Sequence, residues 1–538
     1  MSVLSISDLK VDIHGKTVLH DIDLTLEPGR ILGIVGESGS GKSMTALSVM
    51  QLLPHGSQWS GSIKVAGADL STMDELALCK MRGRDVGMIF QEPMTALNPV
   101  RTIGDQVAET VRIHTGASRR EAFSIAREML NRVGLSEDRF PLDRFPHDLS
   151  GGQRQRVVIA QAIALRPKLL IADEPTTALD VTTQAQILDL LKQLVREENM
   201  GLMLITHDLA VVAGLADSIA IMKDGLVVEA GPTREIFHAM RHPYTRALFS
   251  ASAHVPERNR KPQPGATPVL AVEKVVRDYQ QPRRNIFVKP PAFRAVDHVS
   301  FEISQGENVG LVGESGCGKS TLARSILALD GLQGGDIRLN GHLFSSAGDG
   351  PHPELRAGMQ VVFQDPYGSF NPRHRVRRLV TEPFHLVKDP PRGAELERRI
   401  DRALTEVGLT SSDADKYIHE FSGGQRQRIA IARALIIEPA LIVLDEAVSA
   451  LDVSIRAQIL DLLAGLSDRL DLSYLFISHD LSVVRAITDR VLVMKDGKIV
   501  EHGETESVFR NPQHPYTREL VAATPSLEAA LAAPASSA

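Results

Sequence analysis

The sequence predicts an α/β fold made twice over, in tandem, along 538 residues. Three observations predict it. Blocks of matching sequence recur in the same order in the two halves, glycine-rich loops join short apolar runs to helical segments, and continuous apolar runs end in acid.

The repeat comes first, because self-similarity at a long period fixes the organisation before any local reading. GESGSGKS at 36–43 matches GESGCGKS at 313–320, with their lysines 319 − 42 = 277 residues apart. FQEP (90–93) matches FQDP (363–366), SGGQRQR recurs at 150–156 and 422–428, and ADE (172–174) matches LDE (444–446). ALD recurs at 178–180 and 450–452, THD (206–208) matches SHD (478–480), and HPYTR recurs at 242–246 and 514–518. From SGGQ onward the offset is constant at 422 − 150 = 272, so a whole domain is duplicated. The expected domains are 1–253 and 269–525, with helical parts at about 92–165 and 365–437. Between them HVPERNRKPQPGATP (254–268), rich in Pro and charge, is expected as a linker with the boundary near 263. EAALAAPASSA, at the end, is expected as part of a frayed tail, 526–538.

Each element then follows in order. RILGIVG (30–36) and NVGLVG (308–313) are short apolar runs closing on glycine, followed by SMTALSVMQLL and STLARSILAL, which predicts strand, loop and helix. KLLIAD (168–173) and ALIVLD (440–445) are the continuous apolar runs of strands buried on both faces of a parallel sheet. Both end in acid, at the sheet edge where open α/β folds place ligands.

Composition agrees with a folded multidomain protein. The length exceeds what one core supports, and 43% hydrophobic with 23% charged residues lies near the globular average. No window offers the roughly 18 uninterrupted apolar residues of a membrane span. The N-terminus MSVLSISDLKVD reaches Asp8 and Asp12 before any apolar block, unlike a signal peptide. A cytosolic chain is expected. Cys79 and Cys317 are too few for a disulfide framework or a metal cluster. A net charge of −6 argues against nucleic acid as a main partner.

The glycine-rich loops carry the chemistry. Gly36, Glu37, Ser38, Gly39, Ser40, Gly41, Lys42 and Ser43 satisfy G-x-x-x-x-G-K-[ST]. So do Gly313, Glu314, Ser315, Gly316, Cys317, Gly318, Lys319 and Ser320, with Thr321 following. Such glycines let backbone N–H groups close around phosphates at a helix N-terminus; Lys42 or Lys319 reaches the β- and γ-phosphates, and Ser43 or Ser320 ligates Mg²⁺. An isolated match has a bland alternative, a glycine-rich turn; two matches in equivalent contexts disfavour it. In the acidic pairs, Asp173 and Asp445 are expected to hold Mg²⁺ through water, and Glu174 and Glu446 to polarise the attacking water.

LSGGQRQR (149–156) and FSGGQRQR (421–428), lying between a glutamine loop and an acidic strand end in both halves, resemble the signature motif of ATP-binding cassette ATPases. The resemblance covers nearly the whole chain. It implies two phosphate-loop cassettes, each a RecA-like α/β core with a helical signature subdomain and an antiparallel β subdomain. It also implies a head-to-tail sandwich, in which Lys42 shares an ATP site with Ser422, Gly423, Gly424 and Gln425. Lys319 would face Ser150, Gly151, Gly152 and Gln153. Gln91 and Gln364 resemble the loop glutamine that touches Mg²⁺ and water, His207 and His479 the switch histidine on the γ-phosphate, and Asp180 and Asp452 the D-loop aspartates. Tyr279 stands where the family stacks an aromatic ring on adenine. The first half departs there with Ile13 and His14, and again with Pro175 against Ala447.

RHPYTRAL (241–248) and QHPYTREL (513–520), with FQEPMTALNP and FQDPYGSFNP, look like the ATP-binding subunits of bacterial peptide, opine and nickel importers. Physically, HPYTR alone reads only as a proline-initiated helix start. The resemblance implies ATP and Mg²⁺ as cofactors and two transmembrane permease subunits as partners. An extracytoplasmic solute-binding protein would belong to the same system, and the chain would sit at the cytoplasmic face of the inner membrane. ASAHVPERNR after the first HPYTR lacks the cysteines of an iron–sulfur centre that some relatives carry. The competing expectation is a soluble cassette ATPase acting on ribosomes or DNA, since cassettes serve all three roles.

Overall fold

A computed structural model describes residues 2–91, 93–177, 179–258, 268–280, 292–348, 353–365, 368–449 and 451–527. The chain divides into two compact units, Met1–Ser252 with the chain end from Pro525, and Ala253–Thr524.

The first unit contains two sheets. Leu4–Ile13, Lys16–Leu26, Ser57–Val65 and Ala68–Asp69 form an antiparallel sheet in the order 16–26, 4–13, 57–65, 68–69. In its leading strand the buried positions change phase, from Leu4 and Ile6 to Leu9 and Val11. Asp8 (φ 51°) is the cause: an extra residue there bulges the strand and keeps both apolar pairs on one face. Gly61 lies opposite, where a Cβ would stand 2.4 Å from the Asp8 carbonyl oxygen. Lys274 (φ 48°) and Gly335 repeat this device in the second unit.

The second sheet carries the glycine-rich loop. Its order is Leu226–Pro232, Ser218–Lys223, Ile31–Val35, Gly201–Ile205, Leu169–Asp173, Val86–Ile89, parallel except for the first strand. Burial of Ile31–Val35, Leu169–Asp173 and Gly201–Ile205 is complete along their length. Alternate residues feed two cores, as a strand period of two requires. Leu32, Ile34, Leu169, Ile171, Met203 and Ile205 pack towards the antiparallel sheet. Leu170, Ala172, Leu202 and Leu204 pack with helices Ile103–Thr115, Arg119–Arg132 and Gly151–Ala162.

The second unit repeats both sheets, in the orders 292–304, 268–280, 334–339, 342–346 and 359–362, 441–445, 473–477, 308–312, 490–495, 498–504. Its helical part differs. The counterpart of Ile103–Thr115 is a helix of six residues, Val376–Thr381, followed by a tighter 3-10 turn over Glu382–Leu386. Pro383 accounts for this, since it lacks the N–H an α-helix would use there.

The start of the stretch expected as a linker is fastened to the second unit. His254 pairs with Asp461 at 2.6 Å, and Arg258 makes a two-pronged contact with Asp489 at 2.8 and 3.1 Å. Residues 259–267, and 528–538 of the expected tail, lie outside the described residues.

Candidate active site

Both glycine-rich loops sit between a fully buried strand and a helix that begins at the lysine, Lys42–Met50 and Lys319–Ile326. Gly41 and Gly318 precede these helices with φ of 103° and 110°, a conformation that favours glycine. Gly36 is dictated by space: a Cβ there would lie 2.2 Å from the Met222 carbonyl oxygen. The loop backbone is thus free to present its N–H groups at a helix N-terminus, an arrangement suited to phosphate.

The lysines are almost buried and point back into their own loops. Lys42 Nζ donates to the carbonyls of Gly36 and Glu37, both at 2.8 Å. Lys319 does the same to Gly313 and Glu314, at 2.7 and 2.9 Å.

At the end of the neighbouring strand, burial pushes the Asp173 carboxyl above its ordinary range, with the Glu174 charge adding to it; the Ser43 hydroxyl and Lys42 oppose. Asp173 Oδ1 is buried with no hydrogen-bond partner. An oxygen in that condition beside a hydroxyl suits a hard cation that takes its other ligands from phosphates and water. Asp445 is likewise raised by burial and the Glu446 charge against Lys319. Among the described residues no group of three or more His, Cys, Asp or Glu is placed to hold a metal by itself.

The adjacent glutamates carry opposite shifts. Burial tends to raise the Glu174 carboxyl, yet the His207 hydrogen bond and charge, Thr177 and Lys42 outweigh it and hold the group below its usual value. His207 Nδ1 lies 3.3 Å from Glu174 Oε1, while Thr177 (2.9 Å) and Gln91 (3.0 Å) donate to Oε2. In the second unit His479 Nδ1 lies 3.0 Å from Glu446 Oε1, and Glu446 is held low in the same way. The structure therefore brings Lys42, Ser43, Gln91, Asp173, Glu174 and His207 together in one unit. It joins Lys319, Asp445, Glu446 and His479 in the other; Gln364 is exposed at its strand end.

Ser150 and Ser422 begin helices Gly151–Ala162 and Gly423–Leu435, and both are exposed. Each hydroxyl accepts from the N–H of Gln153 or Gln425, whose side chain accepts in return from the serine N–H, a complete capping box. As acceptors, these hydroxyls keep their protons for donation. Gly152 and Gly424 are fixed by packing, because a Cβ would stand 2.2 Å from Thr183 or 2.5 Å from Ile455.

Asp180 caps helix Val181–Glu198 through Thr183 N–H at 2.9 Å and is nearly buried; Asp452 precedes helix Val453–Leu470. Tyr279 is 37% exposed, has Arg277 4.7 Å from its ring centre, and donates to Asp330 at 3.1 Å. Ile13 instead packs partly into the core of its unit.

Two features lay outside the sequence reading. Glu174 and Glu446 both have left-handed backbones, φ 48° and 50°, which Glu does not favour and no local motif announces. The tyrosine of HPYTR reaches the phosphate loop from 207 residues away.

Comparison with known proteins gives a consistent result. The family described as ABC transporter matches residues 19–177 and 296–449, and the oligopeptide/dipeptide transporter C-terminal region matches 228–275 and 500–536. The glutathione import ATP-binding protein GsiA of Escherichia coli O157:H7 is 45% identical over 98% of this chain and 90% of its own length. Its Salmonella typhimurium counterpart is 44% identical over 97% and 89%. Among solved structures, the archaeal ribosome recycling factor aABCE1, in complex with the stalk protein aP1, is 21% identical. It covers 93% of this chain and 91% of its own, at a TM-score of 0.61, a likeness of fold alone. The ATP-binding cassette MJ0796, bound to ADP and Pi, is 31% identical over 43% of this chain and 98% of its own, at a TM-score of 0.38.

Proposed function

The chain belongs to the ABC transporter family, and from that membership we propose that it is the ATP-hydrolysing subunit of an importer for peptides or for small solutes related to glutathione. One observation carries the reading. A chain 45% identical to a glutathione import ATP-binding protein along 98% of its length keeps, in both units, a glutamate hydrogen-bonded to a histidine beside a phosphate loop. The competing role on ribosomes or DNA has no such support, since the likeness to the recycling factor extends only to fold.

In this reading Lys42 and Lys319, held by their loop carbonyls, turn their remaining N–H to the β- and γ-phosphates. Ser43 with Asp173, and Ser320 with Asp445, would hold Mg²⁺, the fit resting on the unpartnered Asp173 oxygen and the neighbouring hydroxyl. Mg²⁺ supplies charge neutralisation on the phosphate oxygens. Glu174 and Glu446, kept ionised by their histidines, accept the proton of the attacking water. His207 and His479 orient those carboxylates and face the γ-phosphate, and Gln91 and Gln364 hold the water. Ser150 to Gln153 and Ser422 to Gln425 each present a helix N-terminus and a hydroxyl proton, which suits them to close over the nucleotide of the other cassette. Asp180 and Asp452 lie beside those helices as D-loop residues. Tyr279 stacks on adenine at one site, where Ile13 offers only an aliphatic face at the other.

Two hydrophobic permease subunits and an extracytoplasmic solute-binding protein complete the system, with this chain peripheral to the inner membrane. No helix among the described residues is long and apolar enough to cross a membrane. Glu174→Gln and Glu446→Gln, made singly in the assembled transporter, should each slow hydrolysis at their own site by about 10²–10⁴-fold. Unchanged steady-state ATPase in both would sink the catalytic assignment. Recovery of the native protein on ribosomes rather than with permeases would sink the importer role.

A further inference from the structure

HPYTR, so far only a family marker, has a physical task in both units. Each copy opens the last helix of its cassette, Pro243–Ser252 or Pro515–Ala523. The histidine accepts the tyrosine N–H on Nδ1, at 3.2 Å in both copies, and so starts the helix. The arginine donates to carbonyls of the preceding turn, Arg246 to Met240 and Arg241, Arg518 to Pro512 and Gln513. A glutamate on the edge strand gathers the segment: Glu229 accepts from the N–H groups of Arg241 and His242 and from the Thr245 hydroxyl, and Glu501 from the N–H groups of Gln513 and His514. These contacts leave the tyrosine aimed at the phosphate loop.

There its hydroxyl accepts the N–H of the loop's second residue, Glu37 to Tyr244 Oη at 3.2 Å and Glu314 to Tyr516 Oη at 2.8 Å. The ring is buried, 9% and 2% exposed, with Lys223 or Lys495 5.0 or 4.5 Å from its centre. The Glu37 N–H and the Gly36 carbonyl belong to one rigid peptide group. That carbonyl is the one Lys42 Nζ grips at 2.8 Å, and Gly313 and Lys319 repeat the arrangement at 2.7 Å. The peptide is thus held on its N–H side by tyrosine and on its carbonyl side by the loop lysine. Rotation of that peptide would carry the lysine's anchor away from it. The two units differ at Ile13 and Tyr279, and at Thr183 and Ile455, yet both keep this clamp.

We propose that Tyr244 and Tyr516 are positioning residues for ATP. From the helix that ends each cassette, their hydroxyls fix the peptide that orients the phosphate-loop lysine, and so set the affinity for the nucleotide's phosphates. The proposal rests on the reading of 36–43 and 313–320 as phosphate loops. A buried aromatic residue serving only to fill space would need the ring and not the hydroxyl, which makes phenylalanine the discriminating substitution.

The test uses the purified full chain with its permeases, titrated with MgATP and MgADP, for wild type, Tyr244→Phe, Tyr516→Phe and the double variant. Loss of one hydrogen bond predicts a roughly 3- to 10-fold weaker nucleotide affinity at the altered site, with KM raised, kcat within about twofold, and the thermal unfolding midpoint unchanged. Tyr244→Leu, which also removes the ring from beside Lys223, should lower the unfolding midpoint as well. Phenylalanine variants that bind MgATP and MgADP like wild type would overturn the proposal. So would phenylalanine variants whose loss of affinity is matched by a loss of thermal stability. A wild-type chain that binds neither nucleotide would instead remove the phosphate-loop reading itself.

Discussion

Glu174 and Glu446 hold left-handed backbones, a conformation that costs a non-glycine residue on the order of 1–2 kcal/mol. Each is kept there by an N–H bond to the next strand, at Ile205 or Ile477. The sequence made these residues legible as acids at a strand end because the motif order is specific, but their conformation was hidden, since it is imposed by the sheet and not by Glu. Ser150 and Ser422 show the reverse case. S-x-x-Q announces a capping box locally, and the structure contains one. Glu229 supports a prediction at this scale. Burial alone would raise its carboxyl, but the Thr245 hydroxyl and the N–H groups of Arg241 and His242, with the His242 charge, hold it below the ordinary 4.5. A group depressed in the folded state stabilises it above its unfolded value and loses that contribution as pH falls through the folded one. Amide exchange in helix Pro243–Ser252 should therefore quicken as pH drops below 4.5 beyond the intrinsic trend. Glu229→Gln should show fast exchange already at neutral pH; equal protection in both proteins would refute the role given to this carboxylate.

Among the elements, the parallel strands were the most legible, because burial on both faces leaves an uninterrupted apolar run. The leading antiparallel strands were less so: the bulges at Asp8 and Lys274 reverse the alternation midway. The shortened helix Val376–Thr381 could have been found from Pro383, a breaker inside the counterpart of an unbroken helix. A relationship between elements that no motif records is a pair of ions with exchanged signs. In the first unit Arg132, last residue of its helix, meets Glu197 at 2.8 Å near the end of helix Val181–Glu198. In the second, Glu406 and Arg469 occupy the corresponding ends, 2.5 Å apart. Each pair ties the helical part to the core. These are half-exposed pairs, so removing one should cost about 0.2–1 kcal/mol. Glu406→Arg should destabilise the second unit by a similar amount or slightly more, and adding Arg469→Glu should restore most of it. A double variant no more stable than the single one in chemical denaturation would show that the pair does not couple.

Across the whole molecule, duplication was the most legible feature and the manner of joining the least. Asp217 receives the Ile31 N–H and Arg30 of its own unit. At the matching place in the second unit Asp489 receives the Asn308 N–H, but the residue corresponding to Arg30 is Glu307, which is engaged with Arg490. Arg258 supplies the missing cation from the chain's approach to that unit. Composition alone reads 254–268 as a linker, because Pro and charge mark loops without saying which side chains will dock. Arg258→Ala should remove about 1.5–3 kcal/mol of local stability, seen as faster exchange at 253–258 and around Asp489, with the first unit unaffected. Exchange unchanged at both places would mean that the docking is incidental.

That fastening redraws where the protein tolerates new cargo. Arg258 and Pro268 belong to the same unit, so the described residues on either side of 259–267 are held by one body. A fluorescent protein or affinity tag spliced into 259–267 should leave ATP turnover near wild type, whereas the same graft between Ser252 and Ala253 lengthens a stretch by which the chain passes from one unit to the other and should lower it. Splices meant to spare the ATPase should therefore avoid both places where the chain passes from one compact unit to the other, Ser252–Ala253 and Thr524–Pro525.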